Sequence, residues 1–314
     1  MTRDLVLALS GGVGGAKLAL GLSHIVVPEN LLIVANTGDD FEHLGLSISP
    51  DIDTLTYALA GLDNPTLGWG RRDETWSFME TLGALGGPAW FRLGDRDLAL
   101  HVQRTLRLKA GDTLAAITAD ITSRLGIAAR ILPMSNDPVR TRVDSDEGWL
   151  DFQDYFVGRQ CEPVVRALAF IGAETATAHP DFLAALASPR LRAVVICPSN
   201  PFISVEPILA LPGIRTALAA CAAPVIAVSP IIGGKAVKGP TAKMMTELGI
   251  IPSAAAVAHR YGHLLDGYII DTQDAAEAQG LSPRTILAPT LMTTLDDKIA
   301  LARAALALAD TIQK

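Results

Sequence analysis

Short apolar runs recur along the chain at Leu5–Leu9, Leu31–Ala35, Ala193–Cys197, Pro224–Val228, Tyr268–Asp271 and Thr285–Ala288. Each reads as apolar throughout rather than alternating, the pattern of strands buried on both faces of a parallel sheet. Between them lie helical patterns, Lys17–Val26, Asp181–Ala187, Ile214–Cys221 and Thr241–Leu248. The last segment, Thr294–Ile312, carries an apolar stripe of Leu295, Ile299, Ala302 and Leu306, and Thr294 with Asp297 reads as a capping box. Strands alternating with helices in this way predict an α/β fold with a doubly wound parallel sheet.

The middle of the chain breaks the alternation. From Pro50 to Leu125 the pattern is mainly helical, in pieces at Ile52–Ala60, Glu74–Leu85, Asp97–Leu108 and Leu114–Leu125. A β-rich passage follows at Arg130–Val143 and Trp149–Phe152. The expected organisation is a discontinuous Rossmann-like core, residues 1–49 and 126–314, with a helical insertion subdomain at 50–125. No repeat or low-complexity linker interrupts it.

Composition narrows the setting. A chain of 314 residues with 49% hydrophobic residues can bury a large core. Its net charge of −7 argues against a general nucleic-acid surface, so an anionic ligand must be met by local clusters. Cys161, Cys197 and Cys221 form no CxxC pair and are odd in number, which suits a reducing compartment. Neither a signal peptide nor a membrane span is visible. A soluble cytoplasmic protein is expected.

The candidate chemistry begins at "LALSGGVGGAKLALG", an apolar strand running through glycines into a helix. Such a junction suits phosphate, because a helix N-terminus offers free N–H groups. It fits neither common template. Lys17 stands where the dinucleotide fingerprint wants its third glycine, and Ala16-Lys17-Leu18 replaces the Gly-Lys-Ser/Thr of the P-loop. After the second strand, "NTGDDFEHLGLSISPDIDT" places Asn36, Thr37, Asp39 and Asp40 at a strand end, with Asp51 and Asp53 close behind. Four carboxylates beside a phosphate loop suggest Mg²⁺. Ser49-Pro50-Asp51 also reads as an ordinary helix start: serine N-cap, proline at N1, acids facing the positive end of the dipole. Two later strand ends are rich as well, with Ser199, Asn200 and Ser204 in one and Gly233, Gly234, Lys235 and Lys238 in the other. "WFRLGDRDLALH" adds Arg92 and Asp95, and "LPMSNDPVRT" adds Ser135, Asn136 and Asp137; singly, these read as caps or turns. The histidines show no zinc spacing, and no nucleophile elbow or Cys/His pairing signature is present.

Together, "SGGVGGAKLALGL", "NTGDDFEHLGLSISPDIDTLTYALAG", "GWGRRDETW", "FRLGDRDLALH", "ILPMSNDPVRTRV", "CPSNPFISVEPIL" and "SPIIGGKAVKGPTAKMM" resemble the CofD family, the 2-phospho-L-lactate transferases of coenzyme F-420 biosynthesis. The resemblance runs in order from Leu5 to about Leu248. It implies a Rossmann-like core with a helical insertion, a homodimer and Mg²⁺ dependence. It further implies a phospho-acid (lactyl, enolpyruvyl or glyceryl) passed from a guanosine diphosphate-linked donor to the ribityl hydroxyl of a deazaflavin acceptor, 7,8-didemethyl-8-hydroxy-5-deazariboflavin, with release of GMP. By motif match, Asp39, Asp40, Asp51 and Asp53 would serve Mg²⁺, one of them also taking the hydroxyl proton. Gly12, Gly14, Gly15 and Lys17 would line the diphosphate site. Asn36 and Thr37 would join the binding site from the second strand's end. Ser199, Asn200, Ser204, Gly233, Gly234 and Lys235 would hold the guanylyl part. Arg92 and Asp95 would grip the deazaflavin; Trp69 and Trp76 read as buried core more readily than as ring contacts. The alternative is a YvcK-like regulatory protein that binds nucleotide sugars without catalysis. A nicotinamide oxidoreductase is disfavoured by the missing third glycine.

Overall fold

Seven parallel strands make the central sheet: β1 (Leu5–Ser10), β2 (Leu31–Ala35), β3 (Arg130–Pro133), β4 (Leu191–Ile196), β5 (Val225–Val228), β6 (Gly267–Ile270) and β7 (Arg284–Leu287), in the spatial order β7-β6-β5-β4-β1-β2-β3. The computed structural model describes residues 3–65 and 69–313. Gly68, which opens one of the quoted motifs, lies outside them.

The apolar runs work as expected because successive side chains feed opposite faces. Leu7, Leu9, Leu32, Val34, Val194 and Ile196 join one core, with Phe182, Ile214, Leu218 and Val257 from the helices above. Val6, Ala8, Leu31, Ile33, Ala193 and Val195 join the other, with Leu18, Ile52, Leu55 and Ala302. The edge strand β7 departs from the pattern, since Arg284 and Leu287 are exposed.

The C-terminal helix, Leu295–Asp310, has its capping box at Thr294 and Asp297. Of the expected stripe, Ala302 and Leu306 are buried, with Leu301, Ala305, Leu308 and Ala309 beside them, Ile299 is half-buried and Leu295 is exposed. The helix packs on Gly21 of the helix Gly12–Ser23, where a Cβ would stand 2.1 Å from the Lys298 carbonyl oxygen. The two helices cross backbone to backbone there.

The helices of residues 50–125 divide between two cores. Helix Pro50–Leu59 buries Ile52, Leu55 and Ala58 in the sheet's own core, and helix Leu114–Arg124 adds Leu114 to it. What stands apart is the stretch between, helices Ser77–Ala84 and Asp95–Lys109, around a small core of Ile48, Met79 and Leu93. Beyond β3 the chain makes an antiparallel sheet of Arg140–Ser145, Gly148–Asp151 and Val165–Ile171; its third strand was not apparent in the sequence. Among the described residues no single helix is long and apolar enough to cross a membrane.

Candidate active site

The strand order reverses between β1 and β4, and the crevice beyond the carboxyl ends of such strands is where open α/β sheets bind ligands. The glycines sit there, but not as a loop before a helix starting at Lys17. Gly11 is already the N-cap, and the helix begins at Gly12, whose φ of +63° favours glycine. The other glycines admit neighbouring chain. A Cβ on Gly14 would lie 2.3 Å from the Pro198 carbonyl oxygen, and one on Gly15 would lie 2.4 and 2.6 Å from the Ser10 and Ser199 hydroxyl oxygens. The glycine turn therefore docks closely on the loop after β4. A helix start leaves four N–H groups without intrahelical partners. Gly11 donates to Ser199 Oγ at 3.1 Å and Gly12 to Asp51 Oδ1 at 2.5 Å, which, among the described residues, leaves those of Val13 and Gly14.

Asn36 is the hub of the carboxylates. Its Nδ2 donates to Asp39 Oδ1 and to Asp51 Oδ2, both at 2.9 Å, and also lies 3.2 Å from the Ile203 carbonyl oxygen. Its Oδ1 accepts the Gly38 N–H at 2.8 Å. Asp39 and Asp51 thus stand on either side of one amide, and both are buried. Burial pushes both carboxyls up, and the charge of Asp51 pushes Asp39 further. The hydrogen bonds from Asn36 and Gly12 offset this in part. Thr37, beside them, has a buried hydroxyl with no hydrogen-bond partner among the described residues.

Asp40 faces another way. Ser49 occupies the N-cap position of helix Pro50–Leu59, yet its hydroxyl does not cap; it donates to Asp40 Oδ2 at 2.8 Å. Burial raises the Asp40 carboxyl to about 7, against the pull of Arg140, the Ser49 hydrogen bond and Arg104.

Asp53 faces a guanidinium rather than the other carboxylates. Both of its oxygens face the guanidinium of Arg104: Nη1 donates to Oδ2 at 3.1 Å, and Nη2 closes a shorter bond to Oδ1. Arg104 also reaches the Ser47 carbonyl at 3.3 Å. Burial opposes the guanidinium's charge, but Asp53 more than offsets it and holds the group protonated. His101 continues the network, with Nδ1 3.7 Å from Asp53 Oδ2 and Nε2 3.1 Å from Asp97 Oδ2, and the Tyr57 hydroxyl donates to Asp97. Asp53 is the paired anion of Arg104. The stripe Asp97, His101, Arg104 recurs at helical spacing in "DRDLALHVQRT" and was legible as one face, though not as an inward one.

The remaining candidates divide. Ser199 and Ser204 line the glycine turn, a Cβ on Gly11 standing 2.5 Å from Ser204 Cβ. Asn200 caps the turn after it, its Oδ1 accepting from the Phe202 N–H at 2.8 Å. Lys17 points away from the carboxylates, with Nζ on the Met292 carbonyl at 2.7 Å; burial and then the charge of Lys238 lower its pKa. Gly233 and Gly234, both at positive φ, make the two-residue turn of a hairpin between Ile231–Ile232 and Lys235–Ala236. The Gly233 N–H is given to Asp274 at 2.9 Å, while Lys235 is exposed. Asp95 accepts from the Thr75 hydroxyl and from the N–H groups of Ser77 and Phe78, and so anchors the start of helix Ser77–Ala84. Arg92 is exposed and lies 4.1 Å over the ring of Trp76. Trp69, expected in the core, is 47% exposed.

Among the described residues no three His, Cys, Asp or Glu side chains form a ready-made metal cage. Mg²⁺ does not require one, since it takes one or two carboxylates and leaves other positions to phosphate and water. Two buried carboxylates whose charge is offset only in part fit that description.

Residues 6–290 match the family described as 2-phospho-L-lactate transferase CofD. The chain belongs to the CofD family. Within it, the chain is 41% identical to the phosphoenolpyruvate transferase of Streptomyces griseus subsp. griseus over 319 residues, covering 98% of this chain and 99% of that one. It is also 41% identical to the phosphoenolpyruvate transferase of Mycobacterium ulcerans, covering 96% and 97%. A crystal structure of a UPF0052 protein from Bacillus halodurans shares the fold of this CofD member, with a TM-score of 0.64 at 15% identity and coverage of 98% and 99%.

Proposed function

We propose that this CofD-family transferase moves a phospho-acid, of the lactyl, enolpyruvyl or glyceryl type, from a guanosine diphosphate-linked donor to the terminal ribityl hydroxyl of 7,8-didemethyl-8-hydroxy-5-deazariboflavin, releasing GMP, in coenzyme F-420 biosynthesis. The observation that carries the reading is the Asp39–Asn36–Asp51 bridge at the start of helix Gly12–Ser23, at the reversal of strand order. Phosphoryl transfer asks a protein for positioning and charge neutralisation more than for covalent chemistry. The N–H groups of Val13 and Gly14 and the positive end of the helix dipole receive the donor's diphosphate. Ser199 and Ser204 shape the wall of that site, and Lys235 supplies a cation toward the guanylyl side. Asp39 and Asp51 are the residues that would hold Mg²⁺, which neutralises donor phosphate charge when bound. Asp40, with one oxygen on Ser49, orients the attacking hydroxyl and receives its proton. Asn36 keeps the two metal-holding carboxylates at fixed separation, so that little reorganisation is needed as the new P–O bond forms and GMP leaves.

The test is turnover of the deazaflavin with a guanosine diphosphate-linked donor, followed by mass with and without divalent metal. Metal-dependent appearance of the phosphodiester supports the reading. Full activity in excess EDTA contradicts the metal assignment, and no product with any of the three donors contradicts the reaction.

A further inference from the structure

We infer that Arg104 stands in the place of a second cation, so that the carboxylate cluster takes one divalent ion and Asp53 takes none. The inference rests on the proposed role of Asp39 and Asp51 and concerns a residue that their motif does not contain. Four aspartates within fifteen residues, gathered at one strand end, carry enough negative charge for two metal ions. The structure splits them. Asp39 and Asp51 share the Asn36 amide. Asp53, two residues further along the same helix start, has both oxygens on one guanidinium that is itself buried, with 2% of the Arg104 side chain exposed.

A planar fork of donors matches a carboxylate in a way that a point charge does not, and it remains charged at any pH the protein meets. Arg104 also donates to the Ser47 carbonyl, and Ser49, two residues on, holds Asp40. One guanidinium therefore ties the inserted helix Asp95–Lys109 to the helix start that carries Asp51 and to the segment that carries the Asp40 partner. His101 backs the guanidinium from its own helix, its Nδ1 3.3 Å from Arg104 Nη1, and Asp97 holds the other ring nitrogen. Arg104 is thus a positioning residue with a second duty: it withdraws Asp53 from metal binding permanently.

The test counts ions rather than turnover. The protein is mixed with excess GDP and titrated with Mn²⁺, free Mn²⁺ is read by electron paramagnetic resonance, and a GDP-only control is subtracted. Wild type is expected to take one tight Mn²⁺ per chain. Asp53→Asn should leave that count and its affinity within about threefold, whereas Asp51→Asn should abolish the tight site. Arg104→Gln, which frees Asp53, should add a second, weaker Mn²⁺; Arg104→Lys, which keeps a cation, should not. A purely structural Arg104 would not distinguish glutamine from lysine in this count. Two tight Mn²⁺ per wild-type chain, or loss of the tight site in Asp53→Asn, would overturn the inference. If Arg104→Gln does not fold, the Asp53→Asn and Arg104→Lys counts still decide. Failure of the transfer reaction with a normal single-ion count would refute the proposed activity alone.

Discussion

Replacing Asp53 by asparagine preserves shape and most helix-start character while removing one charge. Were Asp53 a free carboxylate in a crowded acidic set, the metal-free protein would hold its stability or gain some. The structure reverses that sign. Asp53 is the paired anion of Arg104, and the two side chains are 8% and 2% exposed. Removing one partner of a buried pair costs about 3–5 kcal/mol, because the other charge stays buried and uncompensated. The asparagine oxygen still accepts one hydrogen bond, which favours the low end, about 3 kcal/mol. For a chain of this length the entropy of unfolding converts that loss into a fall of about 5 °C in melting temperature. The measurement is a double-mutant cycle with Arg104→Gln, by urea or thermal unfolding in EDTA. The double variant should be more stable than the sum of the single losses predicts, by about 1–3 kcal/mol. A metal-free Asp53→Asn protein as stable as wild type, or additive losses in the cycle, would refute the pairing.

Asp51→Asn should behave oppositely: without metal, unfolding should occur at the same or a higher temperature, because two buried like charges are reduced to one, while turnover falls by about a hundredfold or more; kinetics and unfolding on one preparation check both. The carboxyls of Asp39, Asp40 and Asp51 are raised by burial, so their contribution to stability is complete below about pH 4 and is lost as pH rises through the folded values, near 7 for Asp40. Unfolding free energies from denaturant titrations in EDTA should therefore rise from pH 8 to pH 6, by at most about 1.4 kcal/mol per pH unit for each group, and Mg²⁺ with GMP should flatten the slope; a free energy that falls on acidification over this range goes against it. Gly14→Ala places a Cβ 2.3 Å from the Pro198 carbonyl oxygen and should raise the donor KM or lower kcat far more than it alters deazaflavin affinity, readable from steady-state kinetics against binding by fluorescence titration.

The sheet was legible because its strands are buried on both faces, so Leu5–Leu9 and Ala193–Cys197 carry no polar residue to blur them. The capping box of Thr294 and Asp297 was legible because both halves of it are local. Long-range pairing was not. Ser49 and Asp53 read as helix-start residues from their neighbours alone, yet Asp40 and Arg104, the latter 51 residues beyond Asp53, claim their side chains. The glycines were visible as a motif, but the Pro198 carbonyl that requires Gly14 comes from another strand end. Asp95 pairs across the chain in the same way, accepting from Thr75, Ser77 and Phe78, 17 to 20 residues earlier, and so anchors a helix start.

The most direct measurement of the central claim follows both products at once. Purified protein, the deazaflavin, Mg²⁺ and each of the lactyl, enolpyruvyl and glyceryl donors are incubated separately; GMP is quantified and the deazaflavin product is weighed by mass spectrometry. One donor should give GMP and a phosphodiester of the deazaflavin in equal amounts, with both lost together in Asp51→Asn. GMP released without any deazaflavin adduct, or an adduct formed undiminished by Asp51→Asn, would contradict the account.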